Sequence, residues 1–324
     1  MQTSSGMDRT RHLVAEFDCL ERRVEFPPRI GCRAGLRHFA RAAGAAKMSA
    51  PRIRDTGDIV PDQLHHLEQH SIHLIREAYA RLKPLAMLWS LGKDSNTMLW
   101  LTRKAFQGRV PFPVILLDTG NEFAEVYAFR DRYVREWDLD YINASCPPVE
   151  ATDPALPPNA RAAARKTLGL AQLIAERGFA GVLLGIRRDE QAIRAKERAM
   201  SPRDAQGAWH VRDQPTELWG HYTSAAPPGG HVRVHPLLEW SELDIWRYVE
   251  REAIPVCELY FARNGRRYRS LGEADITFPV NSNAATLAQI IIELETTRGE
   301  ERAGRAMDHE REDAFERLRA AGYM

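Results

Sequence analysis

The chain has 324 residues, and its 44% hydrophobic and 27% charged residues are ordinary proportions for a globular protein with a substantial core. Its 45 basic and 44 acidic side chains leave a net charge of +1, which excludes recruitment of nucleic acid or of a membrane surface by the overall charge. The sequence has no apolar run of membrane-spanning length, no signal-peptide core and no metal or redox spacing among its four cysteines, so we expect a cytoplasmic protein.

The first 48 residues differ in composition from the rest of the chain. They are rich in arginine and alanine, they contain Pro27 and Pro28, and they end at Met48. We interpret residues 1–48 as an extension that is disordered or that precedes the true start of the protein, with a partner-binding arm as the alternative. Residues 49–255 are predicted to form the main domain, and residues 256–324 a mainly helical, loop-rich segment that packs on this domain or covers its site.

Hydrophobic periodicity predicts alternating helices and strands after residue 61. Helices are expected from Pro61, where Asp62 can cap the first turn, from Ser241, where Ser241 and Asp244 form a capping box, and over residues 96–105, 122–137, 168–177, 286–294 and 310–320. Short apolar runs predict buried strands over residues 85–89, 113–117 and 181–184, whereas residues 147–158 and 199–230 are predicted as loops. Strands that alternate with helices indicate an α/β fold with a doubly wound, mostly parallel sheet.

The turn after the first predicted strand concentrates anion-binding groups, and it reads Ser90-Leu91-Gly92-Lys93-Asp94-Ser95. Backbone N–H groups and the positive end of a helix meet at such a turn, Gly92 admits the close approach of a phosphate, and Lys93 adds a full charge. The hydroxyls of Ser90 and Ser95 can donate to phosphate oxygens, and Asp94 is expected to ligate Mg²⁺ or to cap the helix. The spacing is neither that of a Walker A loop nor that of a dinucleotide-binding turn, and an ordinary strand-to-helix turn is the alternative.

Basic side chains are also concentrated after the strand predicted at residues 181–184, where five of them lie between Arg187 and Arg198. Guanidinium groups bind sulfate and phosphate through paired hydrogen bonds, so we predict that Arg187 and Arg188 hold sulfate or the α-phosphate of a nucleotide. For Arg194 and Lys196, an exposed helix face with an ion pair between Glu190 and Arg194 is an equal alternative.

These stretches carry a family resemblance. Residues 90–95 resemble the PP-loop of the ATP pyrophosphatase superfamily, which includes phosphoadenylyl sulfate reductase. Residues 185–190, 195–198, 215–219, 240–246 and 267–272 resemble, in this order, motifs of the small-subunit family of sulfate adenylyltransferases. The resemblance runs from about Leu64 to the end of the chain. The chain departs from better-known members by a shorter connection between Tyr260 and Arg266, and by Glu273 where those members carry cysteine.

The resemblance implies a Rossmann-like PP-loop domain over residues 49–255 that forms adenylyl sulfate and pyrophosphate from ATP and sulfate. It also implies Mg²⁺ with ATP, held in part by Asp94, and a separate GTPase large subunit that drives the reaction. The predicted catalytic residues are Lys93, Asp94, Arg187 and Arg188. The predicted ATP and pyrophosphate ligands are Ser90, Gly92, Lys93, Asp94, Ser95, Asp118 and Gly120, and the predicted sulfate ligands are Arg187, Arg188, Lys196, Arg198, Arg267 and Arg269.

Three other functions are the alternatives. A phosphoadenylyl sulfate reductase needs a nucleophilic cysteine in its C-terminal tail, and the last cysteine here is Cys257. A PP-loop enzyme that adenylates another oxyanion in specialised metabolism would share the motifs above. A nucleotide-sensing subunit without catalytic activity would not require an intact loop over residues 90–95.

Overall fold

A six-stranded sheet lies at the centre of the computed structural model, which describes residues 62–296 and residue 301. The strands of this sheet are β1 (Leu85–Leu88), β2 (Val114–Asp118), β3 (Tyr141–Ser145), β4 (Gly181–Leu183), β5 (Met200–Arg203) and β6 (His231–Val234). The α-helices are α1 (Gln63–Arg81), α2 (Lys93–Ala105), α3 (Ala124–Glu136), α4 (Pro158–Arg177), α5 (Glu242–Glu252) and α6 (Leu287–Thr296). A two-stranded antiparallel ribbon pairs β7 (Arg266–Arg267) with β8 (Val280–Asn281).

The order of strands across the sheet is β3-β2-β1-β4-β6-β5, and all neighbours are parallel except β5 and β6. The chain therefore moves outward from β1 through β2 to β3, and then returns to place β4 on the other side of β1. Such a reversal leaves a crevice at the carboxyl ends of the two central strands, where open α/β sheets bind ligands. The predicted doubly wound, mostly parallel sheet is confirmed.

The two faces of the sheet are covered by different helices because successive strand residues point to opposite sides. One core cluster joins helices α1, α2, α3, α5 and α6 to one set of strand residues, namely Leu85, Met87, Val114, Leu116, Leu183, Val232 and Val234. The other cluster joins α4 to the alternate set, namely Ala86, Leu88, Ile115, Leu117, Val182 and Leu184. Both faces are apolar, as a parallel sheet requires.

Local sequence signals set several helix ends. The Asp62 carboxylate accepts a hydrogen bond from the backbone N–H of His65 at 2.8 Å and so caps α1, as predicted. The capping box of Ser241 and Asp244 is present at the start of α5, which confirms that prediction too. Helix α4 begins ten residues before its predicted start, because Pro158 occupies the first helical position, where proline is favoured.

Three strands of the sheet were not predicted. In β3, Asn143 and Ser145 interrupt the apolar pattern, since this strand lies at the edge of the sheet. In β6 the buried His231 and Arg233 alternate with valines, and β5 lies within the segment predicted to be a loop. The predictions for residues 1–48 and 310–320 fall outside the described residues, and the division between residues 49–255 and 256–324 stays a prediction.

None of the helices in the described part of the chain combines the length and the hydropathy that crossing a bilayer requires.

His235, which follows β6, makes the fold sensitive to acid. Its Nδ1 donates to the carbonyl oxygen of Arg198 at 2.7 Å, and burial lowers the pKa of the imidazole from 6.5 to about 4. The unfolded chain therefore takes up this proton at a higher pH than the folded chain, and stability falls as the pH drops from about 6.5 to 4.

Between pH 7 and pH 5, His235 alone should lower the free energy of unfolding by about 2 kcal/mol. Urea denaturation at the two pH values measures this loss in the wild type and in His235→Gln. Between pH 7 and pH 5, the free energy of unfolding should fall by about 2 kcal/mol less in the variant than in the wild type. An equal loss in both proteins would contradict the assignment of a neutral, buried imidazole.

Candidate active site

The loop between β1 and α2 is held in shape by its own side chains. Leu91 adopts the left-handed region, with φ of 64°, and its side chain is buried in the core. The indole Nε1 of Trp89 donates to the Asn96 side-chain oxygen at 2.6 Å, and the Ser95 hydroxyl donates to the carbonyl oxygen of Gly92 at 3.0 Å. A left-handed leucine costs about 1–3 kcal/mol, so packing must hold the strained turn in place.

Lys93 is the first residue of α2, and its side chain is only 1% exposed. Its Nζ lies 3.1 Å from the Asp94 carboxylate and also contacts the Glu301 carboxylate. Its backbone N–H donates to the hydroxyl of Tyr260 at 2.9 Å. A buried ammonium is stable only when it is paired, and here two carboxylates pair with it.

The segment after β4 approaches the same loop closely. A Cβ atom added to Gly185 would lie 3.2 Å from the backbone nitrogen of Ser95, so glycine is what allows the two turns to pack together. Arg187 follows, fully buried, with each guanidinium nitrogen directed at a different carboxylate. Its Nε donates to Asp189 at 2.9 Å, its Nη1 contacts Asp94 and its Nη2 contacts Glu301.

A cavity opens where these two turns meet, at the carboxyl ends of β1 and β4. Its apolar walls come from both strand ends, from α4 and from the segment before β8, and they consist of Leu88, Ala162, Ala163, Leu184, Ile186, Leu271 and Ile276. Ser90, Gly92, Ser95 and Tyr260 line it too. Among its described wall residues, three side chains are basic and five are acidic, namely Lys93, Lys166, Arg194, Asp94, Glu122, Glu190, Glu273 and Glu301.

The basic wall residues outside the loop also have acidic partners. The Nζ of Lys166 lies 3.0 Å from Glu122 and 3.7 Å from Glu273, and Arg194 pairs with Glu190. The Glu190–Arg194 ion pair was the alternative interpretation of that stretch, and the structure shows that the pair forms at the wall of the cavity. Lys166 and Arg194 were not among the predicted site residues.

The side chains of Arg187 and Arg188 contact different parts of the structure. The Arg188 side chain contacts Glu239 and donates to the carbonyl oxygen of Glu197 at 3.1 Å, and with Arg198 it lines a second cavity on another part of the surface. Arg198 donates to the carbonyl oxygen of Pro215 at 3.0 Å. Neither arginine lines the cavity beside the loop.

The other predicted sulfate ligands, Lys196, Arg267 and Arg269, are not part of the wall of this cavity either. Lys196 is exposed. Arg267 is buried and pairs with Glu293 at 2.7 Å, and Arg269 pairs with Glu242 at the same distance. The roles predicted for these residues stay predictions, and the geometry gives each arginine a carboxylate partner within the fold.

Asp118 and Gly120 lie at the end of β2 and are not part of the cavity wall. The Asp118 carboxylate accepts from the Gly120 N–H at 2.8 Å, the Tyr127 hydroxyl at 2.7 Å and the Asn143 amide at 3.1 Å. Burial would raise the pKa of Asp118, but these three donors lower it below its usual value. Gly120 has φ of 81°, so Asp118 holds a left-handed turn. Nucleotide contact by either residue stays a prediction.

Asp94 is not the cap of α2, since that position belongs to Gly92. Its two carboxylate oxygens contact Lys93 and Arg187 instead. Within residues 62–296 and 301, no cluster of three or more His, Cys, Asp or Glu side chains is arranged to hold a metal ion.

Two wall residues come from distant parts of the chain and carry no local sequence signal. Tyr260 lies 167 positions after Lys93, to whose backbone it is bonded, and Glu301 lies 208 positions after it. Asn96 could have been found from the sequence, because it follows the predicted loop directly and turns back to bond with Trp89.

The chain is similar to known proteins over most of its length. Residues 84–279 match the phosphoadenosine phosphosulfate reductase domain family. The chain is 39% identical over 304 residues to sulfate adenylyltransferase subunit 2 of Pseudomonas paraeruginosa, in an alignment that covers 81% of this chain and 99% of that protein. The figures are the same for the protein of that name from Azotobacter vinelandii.

Among solved structures, FMN adenylyltransferase of Candida glabrata with FAD and inorganic pyrophosphate matches with a TM-score of 0.49 and 16% identity. That match covers 75% of this chain and 88% of the other, and at this level it supports no argument about activity. The domain match, by contrast, extends over the loop, both central strands and the cavity residues up to Ile276. The chain therefore belongs to the family of sulfate adenylyltransferase subunit 2, a family of nucleotidyltransferases.

Proposed function

We propose that this chain transfers the adenylyl group of ATP to sulfate, forming adenylyl sulfate and pyrophosphate. The observation that carries the proposal is the position of Lys93, a buried cation at the N-terminus of α2, at the wall of a cavity between β1 and β4. A helix N-terminus with a lysine is suited to a phosphate anion, and the names of the bacterial relatives supply the reaction.

In this reaction a sulfate oxygen attacks the α-phosphorus of ATP. A new oxygen–phosphorus bond forms while the bond from the α-phosphorus to the oxygen bridging to the β-phosphate breaks, and that oxygen leaves with pyrophosphate. Negative charge grows on the leaving group, so the groups that stabilise it are Lys93 and the N–H groups at the start of α2. The protein contributes positioning and charge rather than a covalent intermediate.

The substrate oxyanion needs a second cationic position. Lys166 and Arg194 are the basic wall residues beyond the loop, and we propose that they face the sulfate, while the apolar walls accommodate the adenine. Arg187 lies behind the wall and contacts it through Asp94 and Glu301. Of the six predicted sulfate ligands, Arg187 is the one that contacts the loop, through Asp94, and we propose that it also takes part in anion binding.

Asp94 would be the protein ligand of the Mg²⁺ that accompanies ATP. Magnesium sites at nucleotides commonly use one or two carboxylates together with phosphates, which is compatible with a single aspartate here. The ion would neutralise part of the phosphate charge. To bind it, Asp94 would have to release one of its contacts with Lys93 and Arg187.

We further propose a GTPase large subunit as the partner. The relatives are named as subunit 2, and adenylyl sulfate contains a high-energy sulfuric–phosphoric anhydride, so its net formation needs a driving reaction. A partner that hydrolyses GTP supplies one.

The reductase alternative is disfavoured by the two cysteines in the described part of the chain, Cys146 and Cys257. Burial raises the pKa of the Cys146 thiol to about 11, and burial also raises the pKa of Cys257. A nucleophilic thiol needs a lowered pKa, so neither residue is suited to attack sulfur.

The test is sulfate-dependent exchange between ATP and labelled pyrophosphate, with and without a GTPase partner, combined with direct detection of adenylyl sulfate. We expect exchange to depend on sulfate and net product to rise with partner and GTP. Selenate and molybdate serve as competing oxyanions. Exchange that depends on another oxyanion but not on sulfate would contradict sulfate as the substrate. The absence of exchange with all of these oxyanions would contradict adenylyl transfer itself.

Gly92→Ala should separate folding from nucleotide binding. Gly92 has an ordinary φ of −75°, and a Cβ atom there would come no closer than 3.5 Å to the Tyr260 hydroxyl. The fold therefore has room for alanine, but the methyl group would project where a phosphate approaches. We expect a nearly unchanged melting temperature and an apparent affinity for ATP lower by about tenfold, or about 1.4 kcal/mol. A large loss of stability with normal ATP affinity would contradict this reasoning.

A further inference from the structure

Glu301 places a negative charge at the position where the proposed function requires a phosphate. Its side chain is 6% exposed, and its two carboxylate oxygens contact different cations, Lys93 and Arg187. Burial would raise the pKa of Glu301, but the charges of Lys93 and Arg187 lower it below its usual value, so the group is ionised at neutral pH.

The same two cations would be the ligands of a phosphate group. A carboxylate and two oxygens of a phosphate are similar in shape and charge, and both accept hydrogen bonds from lysine and arginine. The backbone N–H of Lys93 donates to the Tyr260 hydroxyl, so this N–H at the start of α2 also has a partner within the protein.

The charge of the cavity favours the departure of one acidic side chain when ATP binds. Its described walls carry more acidic than basic groups, and ATP brings several further negative charges. Like charges held within a few ångströms in a poorly solvated site repel strongly. Asp94 is fixed in the first turn of α2, whereas Glu301 contacts both cations that a phosphate would bind, so Glu301 is the carboxylate that we expect to give way.

We propose that the carboxylate of Glu301 occupies a phosphate position of the ligand-free enzyme and is displaced when ATP or pyrophosphate binds. The inference rests on the proposed function, since it assumes that the loop binds the pyrophosphate part of ATP. Glu301 is thus an internal competitor that lowers nucleotide affinity. Glu301 also pairs with both Lys93 and Arg187 in the free enzyme. Arg187 can reach the ligand only after Glu301 leaves.

Calorimetric titration of the full-length chain with inorganic pyrophosphate tests this proposal. A competitor lowers apparent affinity in proportion to the fraction of molecules that it blocks, so Glu301→Gln should bind pyrophosphate about tenfold more tightly or better. The same variant should melt at a lower temperature, because two buried cations lose an anionic partner. A residue that merely positions Lys93 would give lower stability and weaker binding together.

Glu293→Gln is the matched control. It also removes a carboxylate from a buried arginine, Arg267, but neither residue lines the cavity. We expect it to melt at a lower temperature with unchanged pyrophosphate affinity. Should Glu301→Gln fail to fold, Glu301→Asp, whose shorter side chain cannot span both cations, should show the same tightening.

Hydrogen exchange on the wild type adds a measurement that needs no variant. The peptide that contains Glu301 should exchange faster when pyrophosphate is bound. Unchanged or weaker binding in the Glu301 variants, or slower exchange in that peptide, overturns the proposal while leaving adenylyl transfer intact. If neither the wild type nor the Glu301 variants bind pyrophosphate, both the inference and the proposed function fail.

Discussion

Replacement of Lys93 by alanine is expected to lower the rate of adenylyl transfer by about a hundredfold or more. The ammonium is buried at the start of α2 and held by Asp94, and by Glu301 until ATP takes the place of that carboxylate, so it meets the leaving pyrophosphate in a fixed position. Loss of one preorganised donor at a developing charge typically raises a barrier by about 3–4 kcal/mol. The measurement is the turnover number for adenylyl sulfate, or for ATP–pyrophosphate exchange, at saturating substrates.

Lys104→Ala provides the control on the same helix. Lys104 lies near the other end of α2 and pairs with Glu68 at 2.9 Å and Glu252 at 3.0 Å, away from the cavity. We expect its turnover to match the wild type. A Lys93→Ala enzyme that is folded and has normal turnover would show that the loop is not part of the chemistry.

The loop at residues 90–95 could be predicted because its determinants are contiguous. A buried strand, a turn with Gly92 and Lys93, and a helix follow one another directly, and the anion-binding geometry depends on that local order. The sheet was predictable for the same reason in β1, β2 and β4, where apolar runs are unbroken. In β6 the pattern fails, because buried histidine and arginine side chains occupy positions where a strand usually carries apolar ones.

Arg187 and Arg188 show what local reasoning could not provide. Adjacent residues with the same side chain gave the same prediction, but their directions depend on a segment of irregular backbone that follows β4. Arg187 turns towards Asp94 and Glu301, and Arg188 turns towards Glu239 and the second cavity. Two of the three carboxylate partners of Arg187 come from positions 93 residues before it and 114 residues after it, and nothing in the nearby sequence indicates either of these two.

The difference between these neighbours also predicts different effects of the same substitution. Arg187 is fully buried and bonds to three carboxylates through three nitrogens, on Asp94, Asp189 and Glu301. Lysine would keep the charge but could not reach all three, because an ammonium is a compact point charge on a flexible stem. Breaking a buried pair typically destabilises a protein by about 3–5 kcal/mol, so Arg187→Lys should melt well below the wild type.

Arg187→Lys should also reduce turnover by more than tenfold, because Asp94 loses a fixed donor next to Lys93. The ligand loses the same donor once its phosphate has taken the place of Glu301. Arg188→Lys is the comparison: its side chain is 33% exposed and pairs with the half-exposed Glu239, so stability should change by only about 0.5 kcal/mol and turnover should stay near the wild-type value. Melting temperature, turnover and apparent sulfate affinity of the two variants measure the contrast. A severe loss of sulfate affinity in Arg188→Lys with normal behaviour in Arg187→Lys would move the oxyanion site to the second cavity.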